Sequence, residues 1–410
     1  MVTNAEPVRD RILFVGHDVT LAHLARPLAL GEMARLAGWD VTLACSSRVR
    51  SIPHAFGGAL LRLETVNGER FIRNLALGRP VFSEKELRMQ LAEDFSLLDN
   101  VKPVMVIGDF RLTMGIAARK AGIPYGNLAN AYWSRYARPE YMVPDLPAVR
   151  LFGSRLSQRI FNLVRPLAFA VHARPLRTLY REHGLSVADA SLGELYTTGD
   201  VRLFSDVPGL YRGRNFPDSC CFIGPVAWAP EIATPQWWGN LHPERPTAYI
   251  YLGSSGDQSL LPSIVNALSS AGLQCIVAGG AADIDKNSGA VFTAPMLPGG
   301  VAAERADIVV CNGGSPSSYQ ALAAGKPVLG IASNLDQYLN MRFVEACGAG
   351  ITMRSDGFRA GALQDSVRRL LSESGFRNQA ARLRDEIQAT DTEQIFTTII
   401  KQHAHSASTS

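Results

Sequence analysis

The 410-residue chain predicts an α/β protein of two parallel-sheet domains facing each other across a cleft, and three observations predict it. Short, near-continuous apolar runs such as RILFV (11–15), VMVIG (104–108), AYIYLG (248–253), ADIVVC (306–311) and PVLGIA (327–332) end in glycine or polar turns, as strands covered on both faces do. Stretches of helical period separate them, so strands and helices alternate. A Pro- and Trp-rich stretch without period, AWAPEIATPQWWGNLHPERPT (227–247), divides the two halves as a linker would. On this reading residues 1–228 form one Rossmann-like domain, 229–246 the linker, 247–388 a second Rossmann-like domain and 389–410 a C-terminal helix and tail.

The first domain opens with strand RILFV, the loop GHDVTLAH, a helix from about Leu24 to Ala37, Gly38 as its stop and the strand VTLACS. His23 is thereby placed in a loop at the carboxyl end of the first strand. Ser83-Glu84-Lys85-Glu86 reads as a capping box that starts a helix to about Asn100. The strand that follows Pro103 ends in Asp109, which either faces His23 across neighbouring strand ends or caps the next helix, LTMGIAARKAG. Residues 130–147, NAYWSRYARPEYMVPDLP, have neither period and predict a long loop over the strand ends. Segment 149–182 is helix-like, with Arg150, Arg155, Arg159, Arg165, Arg174, Arg177 and Arg181 before the first acid, Glu182. It reads either as a pair of solvated helices broken near Pro166 and Pro175 or as a peripheral contact with a membrane surface.

Composition excludes several classes. The chain is 47% hydrophobic and 19% charged, and its 41 basic residues nearly balance 37 acidic ones, so no general case for nucleic-acid binding exists. No apolar run is long enough for a signal peptide or a spanning helix, which predicts a cytoplasmic protein, peripheral at the inner membrane face if 149–182 touches lipid. Six scattered cysteines without C-x-x-C read as reduced thiols.

The stretch 311–337, CNGGSPSSYQALAAGKPVLGIASNLDQ, combines a buried strand, a glycine turn, a helix and a second strand. Asn312, Gly313 and Gly314 permit the turn, and Pro316 suits the first helical turn. Backbone N–H groups from Gly314 to Ser317, with the hydroxyls of Ser315, Ser317 and Ser318, form an anion site for a phosphate without a metal. Asp336-Gln337 follows at the carboxyl end of the next strand, where ligands of open α/β sheets lie. Gly253-Ser254-Ser255-Gly256, after strand AYIYLG, is a second glycine-serine turn for the other end of a diphosphate. Asp283-Ile284-Asp285 is of a type that holds divalent cations; it is read as an ordinary solvated loop, with no metal.

In order and spacing, Asn312-Gly313-Gly314, Ser317, Gln320 and Asp336-Gln337 resemble the nucleotide-sugar-binding half of the UDP-glycosyltransferase superfamily, whose architecture is the glycosyltransferase-B fold. The resemblance implies that Ser317 and the amides near Gly314 hold a diphosphate, Gln320 the ribose, and Asp336 with Gln337 the donor sugar. It places His23 on the family's catalytic base and Asp109 on its partner. Asn312 stands where the family has histidine, losing a cationic donor but keeping an N–H₂ group. Ala22 stands where glycine is common.

The expected activity is inverting transfer of a hexose from a UDP- or TDP-linked sugar, a co-substrate rather than a cofactor, to a hydroxyl of a hydrophobic acceptor held by Tyr132, Trp133, Tyr136 and Tyr141. A nucleotide-sugar 2-epimerase of the same fold and a non-catalytic sugar-nucleotide-binding relative are the alternatives. The aromatic loop argues against the first, and retention of both His23 and Asp109 against the second.

Overall fold

The structure, a computed structural model, describes residues 10–20, 22–47, 56–186, 190–226, 232–279 and 289–404. Its first sheet joins β1 (Arg11–Gly16), β2 (Asp40–Cys45), β3 (Ala59–Arg62), β4 (Met105–Asp109), β5 (Tyr125–Ala129), β6 (Val201–Phe204) and β7 (Cys220–Phe222) in the order β3-β2-β1-β4-β5-β6-β7. The second joins β8 (Thr247–Tyr251), β9 (Gln274–Ala278), β10 (Val291–Ala294), β11 (Ile308–Cys311), β12 (Val328–Ala332) and β13 (Gly350–Arg354) in the order β10-β9-β8-β11-β12-β13. Every pairing is parallel. Helices cover both faces of each sheet, which is why the central strands read as unbroken apolar runs. In both sheets the order reverses beside the first strand, so a crevice opens at the strands' carboxyl ends between β1 and β4 and between β8 and β11.

Helices α1 (Ala22–Leu36), α2 (Gly68–Ala76), α3 (Glu84–Val101), α4 (Met114–Ala121), α5 (Pro147–Phe152) and α6 (Ser154–Glu182) belong to the first domain. The Ser83–Glu86 capping box forms at the start of α3. Helix α1 begins earlier than its sequence pattern indicates, so His23 lies in its first turn rather than in the preceding loop. Gly16 permits this approach, because a Cβ there would come within 2.7 Å of the His23 carbonyl.

The expected break of 149–182 at its prolines is not observed: α6 runs for 29 residues through Pro166 and Pro175. Each proline removes the hydrogen bond to the carbonyl four residues earlier, that of Asn162 or Val171. Both residues are exposed, so water can satisfy the freed oxygens. The break falls instead at Gly153, with φ +75°, between α5 and α6.

The segment after Pro235 is anchored to the second domain rather than loose. The Trp237 indole donates to the Thr293 carbonyl at 3.0 Å, and its ring lies 5.4 Å from Phe292. Beyond the second sheet the chain returns. The C-terminal helix Thr392–Ala404 packs against the first domain, with Phe396 6.1 Å from Phe14 and Ile399 and Ile400 in the same apolar cluster. Among the described residues no helix is long and apolar enough to cross a membrane.

Candidate active site

A cavity of about 650 Å³ lies between the two carboxyl edges and takes its walls from both domains. On the first-domain side, the His23 Nδ1 and the Asp109 Oδ1 are 2.6 Å apart, with side-chain exposures of 21% and 1%. A carboxylate accepts only, so Nδ1 carries the proton, and Nε2 has no hydrogen-bond partner among the described residues. Phe110 stacks on the imidazole, with centroids 4.8 Å apart and planes at 12°. The cap of α4 is Thr113, so Asp109 serves the histidine and not a helix end.

Arg26, one turn after His23 on α1, is a member of this group that the sequence motifs do not mark. Its Nε donates to Asp109 Oδ2 at 2.8 Å and its Nη2 to Oδ1 at 2.9 Å, a two-pronged grip on a fully buried carboxylate. Burial alone would raise the Asp109 carboxyl, but the Arg26 charge, then that of His23, and the hydrogen bonds from both hold it below the ordinary carboxylate value. Asp109 therefore stays ionised while the histidine gains or loses its proton. Arg26 Nη1 also donates to Asn130 Oδ1 at 2.9 Å, and Asn130 Nδ2 donates across the cleft to the Ser315 hydroxyl at 2.9 Å. A continuous polar chain thus joins the histidine's partner to the opposite wall.

That wall is built from two glycine turns. Gly313, with φ +76°, has no room for a side chain, since a Cβ would meet Met341 at 2.6 Å. Asn312 ties the turns together: its Nδ2 donates to the Ser255 hydroxyl at 3.1 Å, and its Oδ1 accepts from the Gly314 amide at 3.0 Å. The amide of Gly314 is consequently not free for an anion, which corrects one element of the expected cradle. The amides of Ser315 and Ser317, the first and third residues of the helix Ser315–Ala323, have no acceptor within the helix, and both residues line the cavity. Ser318 is fully buried, its hydroxyl accepting from Asn340 at 3.0 Å, and it plays no part in the cradle. Gly253, Ser254 and Gln320 also line the cavity.

Asp336 and Gln337 have separate fates. Gln337 closes a capping box with Asn334 at the start of the helix Leu335–Ala346; its Oε1 accepts from the Ser333 amide at 2.8 Å and its Nε2 donates to the Ser255 carbonyl at 3.2 Å. Both ends of its carboxamide are engaged. Asp336 borders the cavity and accepts from Trp133 Nε1 at 2.8 Å and from the Tyr132 hydroxyl at 3.1 Å.

Of the four aromatic residues expected to hold an acceptor, Tyr132 and Trp133 line the cavity, although Tyr132 is almost wholly buried. Tyr136 and Tyr141 are not part of the lining. Tyr136 packs near Phe216 with the Arg202 guanidinium 6.0 Å from its ring centre. Tyr141 stands edge-on to Phe169, 5.1 Å away, under Arg165. The apolar lobe of the cavity comes instead from Phe71, Leu75 and Val81 on one side and Phe161, Val164 and Phe169 of α6 on the other.

The 130–147 loop works mainly as a clasp between domains. Asp145 accepts from the Tyr338 hydroxyl, Arg354 and the Ser355 hydroxyl at 2.6 Å each, and from the Asp356 amide at 2.9 Å. Deeper in, Asp206 accepts from Tyr319 at 2.9 Å and from the Ala131 amide at 2.6 Å. Asp283 and Asp285 lie outside the described residues. Among the described residues no cluster of His, Cys, Asp or Glu is placed to hold a metal ion.

Two parallel-sheet domains with a shared cavity at their carboxyl edges define the class: the GT-B fold of nucleotide-sugar-dependent glycosyltransferases. Residues 271–401 match the family described as "Erythromycin biosynthesis protein CIII-like, C-terminal domain". Over 381 residues the chain is 41% identical to a "PGL/p-HBAD biosynthesis glycosyltransferase" of Mycobacterium tuberculosis (strain ATCC 25177 / H37Ra), covering 92% of this chain and 89% of that protein. Over 378 residues it is 41% identical to a "PGL/p-HBAD biosynthesis rhamnosyltransferase" of Mycobacterium bovis (strain BCG / Pasteur 1173P2), covering 92% and 84%. The structure of "Spinosyn Forosaminyltransferase SpnP" superposes with a TM-score of 0.70 at 15% identity, over 97% of this chain and 99% of that one, and so shares the fold. The chain belongs to the nucleotide-sugar-dependent glycosyltransferase family that contains these two mycobacterial proteins.

Proposed function

We propose that the protein transfers a hexose, with inversion and without a metal, from a UDP- or TDP-linked sugar to a hydroxyl of a hydrophobic, lipid-like acceptor. One observation carries the reading: the His23–Asp109–Arg26 group, the helix start at Ser315 and an apolar lobe share a single cavity. The acceptor lies in the lobe with its hydroxyl at His23 Nε2. The acceptor oxygen bonds to the anomeric carbon from the face opposite the leaving group while Nε2 takes its proton. The bond from that carbon to the diphosphate oxygen breaks, and the departing charge is held by the amides of Ser315 and Ser317 and the Ser317 hydroxyl. Asp109, fixed by Arg26, orients the ring and stabilises the imidazolium. Asp336 accepts from a donor-sugar hydroxyl, and Gln337 supports it by fixing the turn. Gln320 meets the ribose.

The relative named as a rhamnosyltransferase supports a hexose-class donor. The apolar lobe supports an acceptor pocket, for which an epimerase has no use. In a competition among long-chain aryl alcohols, hydroxylated lipids and free oligosaccharides, the apolar acceptors are expected to be consumed first, since each buried methylene contributes about 0.8 kcal/mol. Preference for the oligosaccharides would overturn the reading. Because backbone amides serve the leaving group, transfer is expected to persist in excess EDTA, and Asp283→Ala with Asp285→Ala to be silent. Activity lost to the chelator and restored by Mn²⁺ would show that a cation carries the diphosphate.

A further inference from the structure

We propose that the outer face of α5 and the N-terminal half of α6 docks on an anionic lipid bilayer, with the mouth of the cavity at its edge. Leu156, Ile160, Leu163 and Leu167 recur at helical spacing and form one stripe along α6. In a soluble helix such a stripe faces the core, yet Leu163 is 82% and Leu167 71% exposed, and Leu151 and Phe152 of α5 extend the exposed apolar surface. The core contacts of α6 lie elsewhere, on Ala173, Leu176, Leu179 and Tyr180. Contiguous apolar surface of this kind marks an interaction site rather than the usual scatter of single exposed side chains.

Charge identifies the occupant. Arg159 precedes the stripe residue Leu163 by four positions, Arg155 stands one turn before Arg159 on the same flank, and Arg150 lies beyond on α5. All three are exposed and, among the described residues, have no ion-pair or hydrogen-bond partner. Between Asp145 and Glu182 the sequence contains no acid. Two copies of the chain meeting through this face would therefore oppose arginine to arginine, whereas phosphate headgroups over an acyl layer match both the flank and the stripe. Val164 sits at the boundary, exposed to solvent and also lining the cavity. A lipid-like acceptor would pass from the leaflet into the apolar lobe across that residue. This last step rests on the proposed acceptor; docking itself does not.

The test is co-sedimentation of the full chain, without donor or acceptor, with vesicles of phosphatidylcholine alone or mixed with phosphatidylglycerol. The protein is expected to pellet with the anionic vesicles, to remain in solution with the neutral ones and to be released by salt. Leu163→Glu with Leu167→Glu, and separately Arg155→Glu with Arg159→Glu, are expected to lower the bound fraction roughly tenfold. Because these side chains are exposed, both variants should unfold at the wild-type temperature. Failure of the wild type to pellet with anionic vesicles, or pelleting indifferent to both variants, overturns the proposal. A concentration-dependent dimer dissolved by the leucine variants would assign the face to a second copy and overturn it too. As no turnover is measured, either failure leaves the proposed reaction standing.

Discussion

Replacing His23 with alanine is expected to lower turnover by roughly 10²–10⁴-fold while leaving donor affinity close to that of the wild type. The expectation follows from position. His23 stands on the first-domain wall, and the glycine turns, Ser317 and Gln320 stand on the other, so truncating the imidazole would remove the proposed proton acceptor without touching the proposed diphosphate cradle. Asp109→Asn should also lower turnover, since its amide cannot stabilise the imidazolium by charge and, with its oxygen toward Nδ1, turns its N–H₂ on the Arg26 Nε donor. Steady-state kinetics with nucleotide release as readout, beside calorimetric titration with the donor, separates the two effects. Near wild-type turnover in the alanine variant would remove His23 from the chemistry.

The largest effect on stability is expected at Arg26. Arg26→Met keeps the apolar stem but strips a fully buried carboxylate of its two-pronged partner, and breaking such a pair costs about 3–5 kcal/mol. The pH dependence has a definite sign. In the wild type the Asp109 carboxyl is held low against its burial, so its contribution to stability is fully present above the unfolded-state carboxylate value and is lost as pH falls through the lower folded value. In the methionine variant burial is opposed by the histidine alone and the carboxyl rises. The stability gap between the two proteins should accordingly be widest near neutrality and shrink on acidification. Urea unfolding across a pH series measures it; equal midpoints at pH 7 would mean that the Arg26–Asp109 contact contributes nothing net.

The architecture and the placing of the glycine turns after their strands were legible because both depend on local order. Buried parallel strands announce themselves as apolar runs, and glycine turns, serines and the Asp336-Gln337 pair occur at fixed spacing. What depended on distant neighbours was not legible. Arg26 looks like any polar residue on a helix, and only the fold brings Asp109 from 83 positions away to meet it. Tyr132, Trp133, Tyr136 and Tyr141 are alike in sequence, yet two line the cavity while Phe216 and Phe169 claim the others. Asp336 and Gln337 are adjacent and polar, but one end of a helix needed a capping amide and took Gln337. The prolines of α6 were expected to break it because sequence does not reveal that the residues whose carbonyls they orphan, Asn162 and Val171, are exposed.

The packing of Phe396, Ile399 and Ile400 on the first domain sets an order of assembly. Domains usually fold as they emerge from the ribosome. Here Phe14, α1 and β4 belong to the domain translated first, but the helix that seals them is translated only after the whole second domain. Until then one flank of the first sheet stays uncovered, and a chain released early would expose that sticky flank to solvent. The halves of the cleft thus mature together, and an unfinished chain holds neither a closed first core nor a working site.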